Sequence, residues 1–381
     1  MFLRAYAFKA SPMQPDELAR LCSDPRFAAG RVGLVAEDDD GPRATASAVL
    51  MRQNLRGRVY PMAGIAGVAS HPLARRRGYV RALMLELLGR MRDEGYPVST
   101  LYPFRPSFYE RFGYATLPSP RTATFAPAGL RPLLRRELPG EVSWARAGEG
   151  YQRYRDLALR LLEYRHGFAV FPEERDRMAA DNESHWLVLA QLDGSVPAGG
   201  LMYRIEEYSG TLHGTDLLTT GPTSRALLLR FLAGHTDQVG RVVVTVAPDD
   251  TPELWGSDLT VHVEAAVRFP TNAAPMARVL SLELLAGLPT GEQGVTLTVV
   301  DDAWVGGTYR LAGSPDGLEV TRVPNAEPDA TLTCAGLSAL VYGAPDPAEF
   351  ELLGWGSVPE PVAQRLRVLF PPRLPYLCAR F

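Results

Sequence analysis

Residues 62 to 93 constrain the fold more than any other stretch. Met62 to Val68 reads as a strand, then come three consecutive arginines (Arg75, Arg76, Arg77) and Gly78. After them Val80, Leu83, Met84, Leu87, Leu88 and Met91 recur at helical spacing, with Arg81, Arg90 and Arg92 on the outward face. A strand–loop–helix unit of this kind belongs in an α/β layer. The charge has a physical use. A helix N-terminus leaves about four backbone N–H groups unpaired and carries roughly half a positive charge, so it attracts anions. Arginines add charge-assisted hydrogen bonds, and Gly78 allows close approach of the backbone to a phosphate. Arg76, Arg77 and Gly78 therefore read as a diphosphate site.

The flanking sequence extends the α/β pattern. Strands are expected at Val32 to Glu37, Ala44 to Leu50 and Pro97 to Tyr102, with Asp38-Asp39-Asp40-Gly41 as a solvated hairpin turn. Ser107-Phe108-Tyr109-Glu110 reads as a capping box opening a short helix that ends at Gly113. From Glu141 to about Pro270 the outline repeats, with helices around Tyr151 to His166 and Ser224 to His235. Its strands are expected at His185 to Gln191, Gly199 to Ile205, Leu212 to Leu218 and Arg241 to Val246. In this second copy the helix start is Thr220-Gly221-Pro222-Thr223-Ser224, with no arginine cluster and a proline that removes one donor, so its phosphate site is lost. Beyond Asn272 a helix is expected over Ala274 to Leu285. Four strands between Val295 and Cys334 follow, then helices at Leu337 to Tyr342 and Pro361 to Leu369, then an apolar tail. These shifts suggest domains over 1–127, 128–271 and 272–381, in keeping with a 381-residue chain that exceeds one ordinary hydrophobic core.

Composition excludes several classes. A net charge of −3 argues against a nucleic-acid or anionic-membrane partner. Three scattered cysteines and six histidines form neither a disulfide framework nor a metal-ligand spacing, so no metal and a reducing cytoplasm are expected. Charge interrupts the N-terminus too soon for a signal peptide, and no apolar run reaches about 18 residues, so a cytoplasmic protein is expected. Only Lys9 among the 40 basic residues is a lysine, a skew read as base composition of the genome. No Gly-x-Gly-x-x-Gly follows a strand, which removes a nucleotide-dependent dehydrogenase.

Arg75-x-x-Gly78-x-Val80 resembles motif A of the Gcn5-related N-acetyltransferases (GNAT), with Val80 where that motif carries Gly or Ala. Val68-Ala69 before the arginine cluster, and Tyr109-Glu110-Arg111-Phe112-Gly113-Tyr114 about thirty residues after it, narrow the resemblance to the enhanced intracellular survival (Eis) family. The resemblance implies an α/β (α+β) chain of tandem GNAT folds with mixed sheets, the second degenerate, then a domain similar to sterol carrier protein. It implies acetyl-CoA as co-substrate and a homo-oligomer, a hexamer in that family. It also implies that the backbone of Val68, Ala69 and Ser70 meets the pantetheine amides, that Arg76, Arg77, Gly78, Tyr79, Val80 and Arg81 hold the diphosphate, and that Phe104 and Arg105 lie at the next strand's end. Tyr109 would be the general acid, and the C-terminal carboxylate of Phe381 a base or an amine-orienting group.

The activity implied is acetyl transfer by direct attack of a primary amine: an aminoglycoside, a polyamine-like compound or a lysine side chain. Arg380, next to the terminal residue, disfavours a polycation. The alternative is a non-catalytic scaffold binding CoA, or a lipid through the C-terminal domain.

Overall fold

In this computed structural model the described residues are 2–9, 11–23, 28–173, 184–192, 194 and 196–381. Helices α1 (Phe2–Phe8) and α2 (Pro15–Ser23) precede a meander of β1 (Arg31–Asp38), β2 (Gly41–Leu55) and β3 (Arg58–Ser70). The chain then crosses through α3 (Tyr79–Asp93) to β4 (Val98–Leu101), which pairs parallel with β3. A short helix, α4 (Pro106–Glu110), leads to β5 (Ala115–Thr116). Alanines line one face of β2: Ala44, Ala46 and Ala48 are fully buried, and Leu83, Met84, Leu87, Leu88 and Met91 of α3 join them in one core. Small residues under a helix let backbone and sheet approach closely, and each buried large side chain contributes about 1.5–3 kcal/mol.

The opposite face of this sheet is covered from far along the chain. Val49, Met51, Leu55 and Met62 share a core with Val295, Leu297, Leu340 and Leu369. That final segment carries a five-stranded sheet, with Gly294–Val300 between Gly307–Ser314 and Ala330–Thr333, and the helices Cys334–Tyr342 and Glu360–Leu369. Between the two lies an eight-stranded mixed sheet with its own core of Val188, Leu201, Leu228, Val242 and others. The expected strands at Gly199–Ile205 and Arg241–Val246 appear at those bounds.

Two local expectations are corrected. Residues 274–285 do not form a helix: Met276–Val279 is a strand, followed by a 3-10 turn at Glu283–Leu285. The strand lies between β4 and β5, antiparallel to both, with Met276 in the core on one face of the sheet and Ala277 and Val279 in the core on the other, so all four residues are buried and the run lacks the alternation that marks a half-exposed strand. The capping box does not form either. Pro106, whose ring presets helical φ, occupies the first turn, Arg105 is the N-cap, and no side chain caps the helix. Ser107 is therefore already helical and has no capping bond to give Glu110.

Candidate active site

β3 outruns its parallel neighbour. The last β3–β4 pair is Ile65 with Leu101, whereas β3 continues to Ser70, bonded on its other side to β2 through Thr45–Ala69 and Ala44–Ser70. The backbone of residues 66–70 thus presents an edge that β4 leaves open. Register slips between Thr45 and Ser47, and Gly67 on the facing strand has φ +63°, so a bulge bends β3 away at this point. A cleft of about 1200 Å³ opens along that edge.

Each wall of the cleft has a distinct source. From β3 come residues 65–70, and from the turn and first residues of α3 come Arg75, Arg76, Gly78, Tyr79, Val80 and Arg81. Arg76 (φ +65°) and the N-cap Gly78 (φ +87°) are both left-handed, and no side chain caps α3, so its first N–H groups are unclaimed. No carboxylate among the described residues pairs with Arg75, Arg76 or Arg81. The aspartate turn is tied to this helix start: Tyr79 donates its hydroxyl to Asp38 at 2.8 Å, and Arg43 pairs with both Asp38 and Asp40.

The far wall holds Tyr102, Phe104 and Arg105 beyond β4, and Phe108, Tyr109 and Arg111 of α4 and its end. Tyr109 is 4% exposed, edge-on to Phe104 and Phe108 at ring distances of 5.7 and 5.0 Å. Burial pushes its phenol well above the ordinary value, so it is a neutral O–H donor throughout the physiological range. Tyr114 is packing: fully buried, its hydroxyl shares a 2.6 Å hydrogen bond with Ser99. The helix carrying Tyr109 is backed by the last segment of the chain. Arg278 donates to the Phe112 carbonyl and to Asp302, and Ser338 donates to the Gly113 carbonyl at 3.3 Å.

Phe381 lines the same cleft. Its ring stands edge-on to Tyr102 at 5.7 Å and lies against Gly64, where an added Cβ would come within 2.9 Å of it. The tail is anchored on its way in. Tyr376 donates its N–H to the His166 carbonyl and its hydroxyl to Asp216 at 2.6 Å, while Tyr102 donates to the Leu377 carbonyl. His166 accepts at Nδ1 from the Arg56 N–H and so donates from Nε2 to the Tyr342 carbonyl; burial lowers its pKa to about 3.

One cleft thus gathers Val68, Ala69, Ser70, Arg76, Gly78, Tyr79, Val80, Arg81, Phe104, Arg105, Tyr109 and Phe381. Arg77 alone of the expected set is not on its wall, and Arg75 is there instead. The sequence reading also passed over Gly64, Gly67, Tyr102 and the α1 residues Tyr6 and Phe8. Gly64 and Gly67, glycines inside a strand pattern, carried a local signal, that of a bulge or of a close approach to the backbone. Among the described residues no cluster of metal-ligating side chains occurs, and no helix is long and apolar enough to cross a membrane.

Comparison with known proteins gives this arrangement a family. Residues 2–117 and 168–279 each match an acetyltransferase (GNAT) domain family, and residues 280–378 match a sterol carrier protein domain. N-acetyltransferase Eis of Mycobacterium tuberculosis is 40% identical over 86 residues, a match spanning 21% of this chain and 21% of that protein. The chain is an Eis-like tandem GNAT protein. An uncharacterized N-acetyltransferase of Streptomyces coelicolor is 27% identical over 303 residues, 74% of this chain and 71% of its own. The fold is shared with Eis1 from Mycobacterium abscessus, with a TM-score of 0.74 at 20% identity over 92% of this chain and 90% of that one. It is also shared with a GCN5-related N-acetyltransferase from Kribbella flavida, at 0.81 and 24% over 100% and 94%. Within this Eis-like frame the second unit's helix, Pro222–Ala233, begins at a proline that offers no N–H, after an extended Gly221.

Proposed function

We propose that this Eis-like protein transfers the acetyl group of acetyl-CoA to a primary amine in the cleft of its first unit. The observation that carries the reading is the convergence, in one cleft, of an uncapped arginine-rich helix start, an open strand edge, a buried tyrosine and Phe381. The unclaimed N–H groups of Gly78 to Arg81, with Arg75, Arg76 and Arg81, suit the diphosphate. The open edge at Val68 to Ser70 offers backbone groups to the pantetheine amides and an N–H to the oxyanion formed when the amine attacks.

The two proton roles follow from acidity. An α-carboxylate with pKa near 3.5 is too weak a base to take the proton of an ammonium near 10, so the Phe381 carboxylate orients the amine, which reacts as the neutral form after losing its proton to the buffered solvent. A phenol at about 10 is already a weaker acid than a thiol at about 8.5, and burial weakens Tyr109 further. Tyr109 therefore stabilises the departing thiolate by hydrogen-bond donation rather than by complete proton transfer. The resemblance adds assembly as a homo-oligomer, a hexamer, and the cysteine usage adds a cytoplasmic site of action.

The test is thiol release from acetyl-CoA with and without added primary amines, with acetylated product identified by mass. Amine-dependent release with a product 42 Da heavier than the amine supports the reading. Binding of acetyl-CoA without release for any amine overturns it in favour of a scaffold.

A further inference from the structure

The cleft has more wall than acetyl-CoA needs, and the surplus has a distinct chemistry. Once the backbone of 68–70, residues 75–81, and Phe104 and Arg105 are set aside for the co-substrate, the large side chains that remain beside Tyr109 include five aromatic ones: Tyr6, Phe8, Tyr102, Phe108 and the ring of Phe381. Tyr6 and Phe8 stand on α1 at 38% and 60% exposure. Tyr102 and Phe381 meet edge to face. Aromatic side chains exposed inside a cleft mark a place where an apolar surface is received.

Charge narrows the choice. Every charged side chain on the cleft wall among the described residues is an arginine; no aspartate or glutamate is there. Arg111 remains after the co-substrate's share, lying over the Phe108 ring at 5.1 Å. On the reading above, the α-carboxylate of Phe381 is the negative group, one charge that can offset one ammonium. A second or third ammonium on the acceptor would meet Arg111 and, among the described residues, no carboxylate side chain, which selects against polycations.

On the reading that this cleft performs acetyl transfer, we infer that its acceptor is a monoamine on an aromatic or aliphatic body, and that polyamines and aminoglycosides are discriminated against. Tyr6 and Phe8 receive the apolar body, and the terminal carboxylate receives the amine.

The experiment compares kcat/KM for 2-phenylethylamine, spermidine and kanamycin at saturating acetyl-CoA, in the full-length protein and in Phe8→Asp. Phe8 is exposed, so the variant folds, and an unchanged acetyl-CoA dissociation constant checks that it has. The expected result is a preference of at least about tenfold for 2-phenylethylamine over both polycations, narrowed about tenfold by Phe8→Asp. Equal or better turnover of spermidine or kanamycin overturns the inference and leaves acetyl transfer standing. A preference that Phe8→Asp does not change overturns the role of α1. Silence with all three amines, acetyl-CoA still bound, removes the inference together with the reading beneath it.

Discussion

Tyr109 illustrates how a residue's role follows from where it is held. Its identity was legible from the Tyr-x-Arg-Phe-Gly-Tyr pattern, but its burial depends on Phe104 and Phe108, which the fold brings against it. Replacing Tyr109 by Phe is expected to lower kcat about a hundredfold while leaving acetyl-CoA affinity within about twofold, because the hydroxyl is used late. Steady-state kinetics alongside equilibrium binding of acetyl-CoA separates the two. His166, read from the sequence only as the end of a helix, is instead a buried junction between three parts of the chain. Its folded pKa of about 3 lies below the unfolded value near 6.5. The unfolded chain therefore binds a proton in that window and the folded chain does not, so stability is retained above pH 6.5 and falls as pH drops from about 6.5 towards 3. The slope reaches about 1.4 kcal/mol per pH unit. Urea unfolding at stepped pH is expected to show this slope, and His166→Gln to flatten it.

At the scale of elements, the helix carrying Tyr109 is too short to hold itself and takes its position from neighbours. Arg278, 1% exposed, bonds the Phe112 carbonyl and Asp302 and lies over Trp304 at 4.6 Å. Arg278→Met leaves Asp302 without its cation and is expected to cost about 3–5 kcal/mol, with part recovered in Arg278→Met/Asp302→Asn. Chemical denaturation of the single and double variants measures both. The C-terminal tail is positioned in the same borrowed way, by His166, Asp216 and Tyr102. One glycine added after Phe381 moves the carboxylate by more than an ångström and is expected to lower kcat about a hundredfold, with the melting temperature unchanged. Full activity of the extended chain would make the tail structural.

Across the whole molecule, the first sheet is completed only by the strand Met276–Val279, inserted between β4 and β5. A chain ending at residue 271 would lack that strand and the cover over Met51, Leu55 and Met62. Such a chain is expected to lose the cooperative unfolding of the first unit. Hydrogen exchange at the amides of β4 checks this: protection there equal to that of the full chain would show that the first unit closes its sheet alone.

What the sequence determined by itself was local. Strand–loop–helix periodicity, an arginine-rich helix start and a tyrosine motif are each written within residues 62–114, because helix ends and amphipathic faces depend on near neighbours. The misread stretches were those where distant chain decides. Met276–Val279 looks helical until two strands pair with its edges and a core covers each of its faces, and Ser107 looks like a cap until Pro106 takes the first turn. Only the tertiary structure brought Phe381 against Gly64, opened the β3 edge beyond Leu101, and set Tyr6 and Phe8 in a cleft whose charged side chains, among the described residues, are all arginines. Those are contacts between residues far apart in the chain, formed to bury apolar surface, and no short window of sequence encodes them.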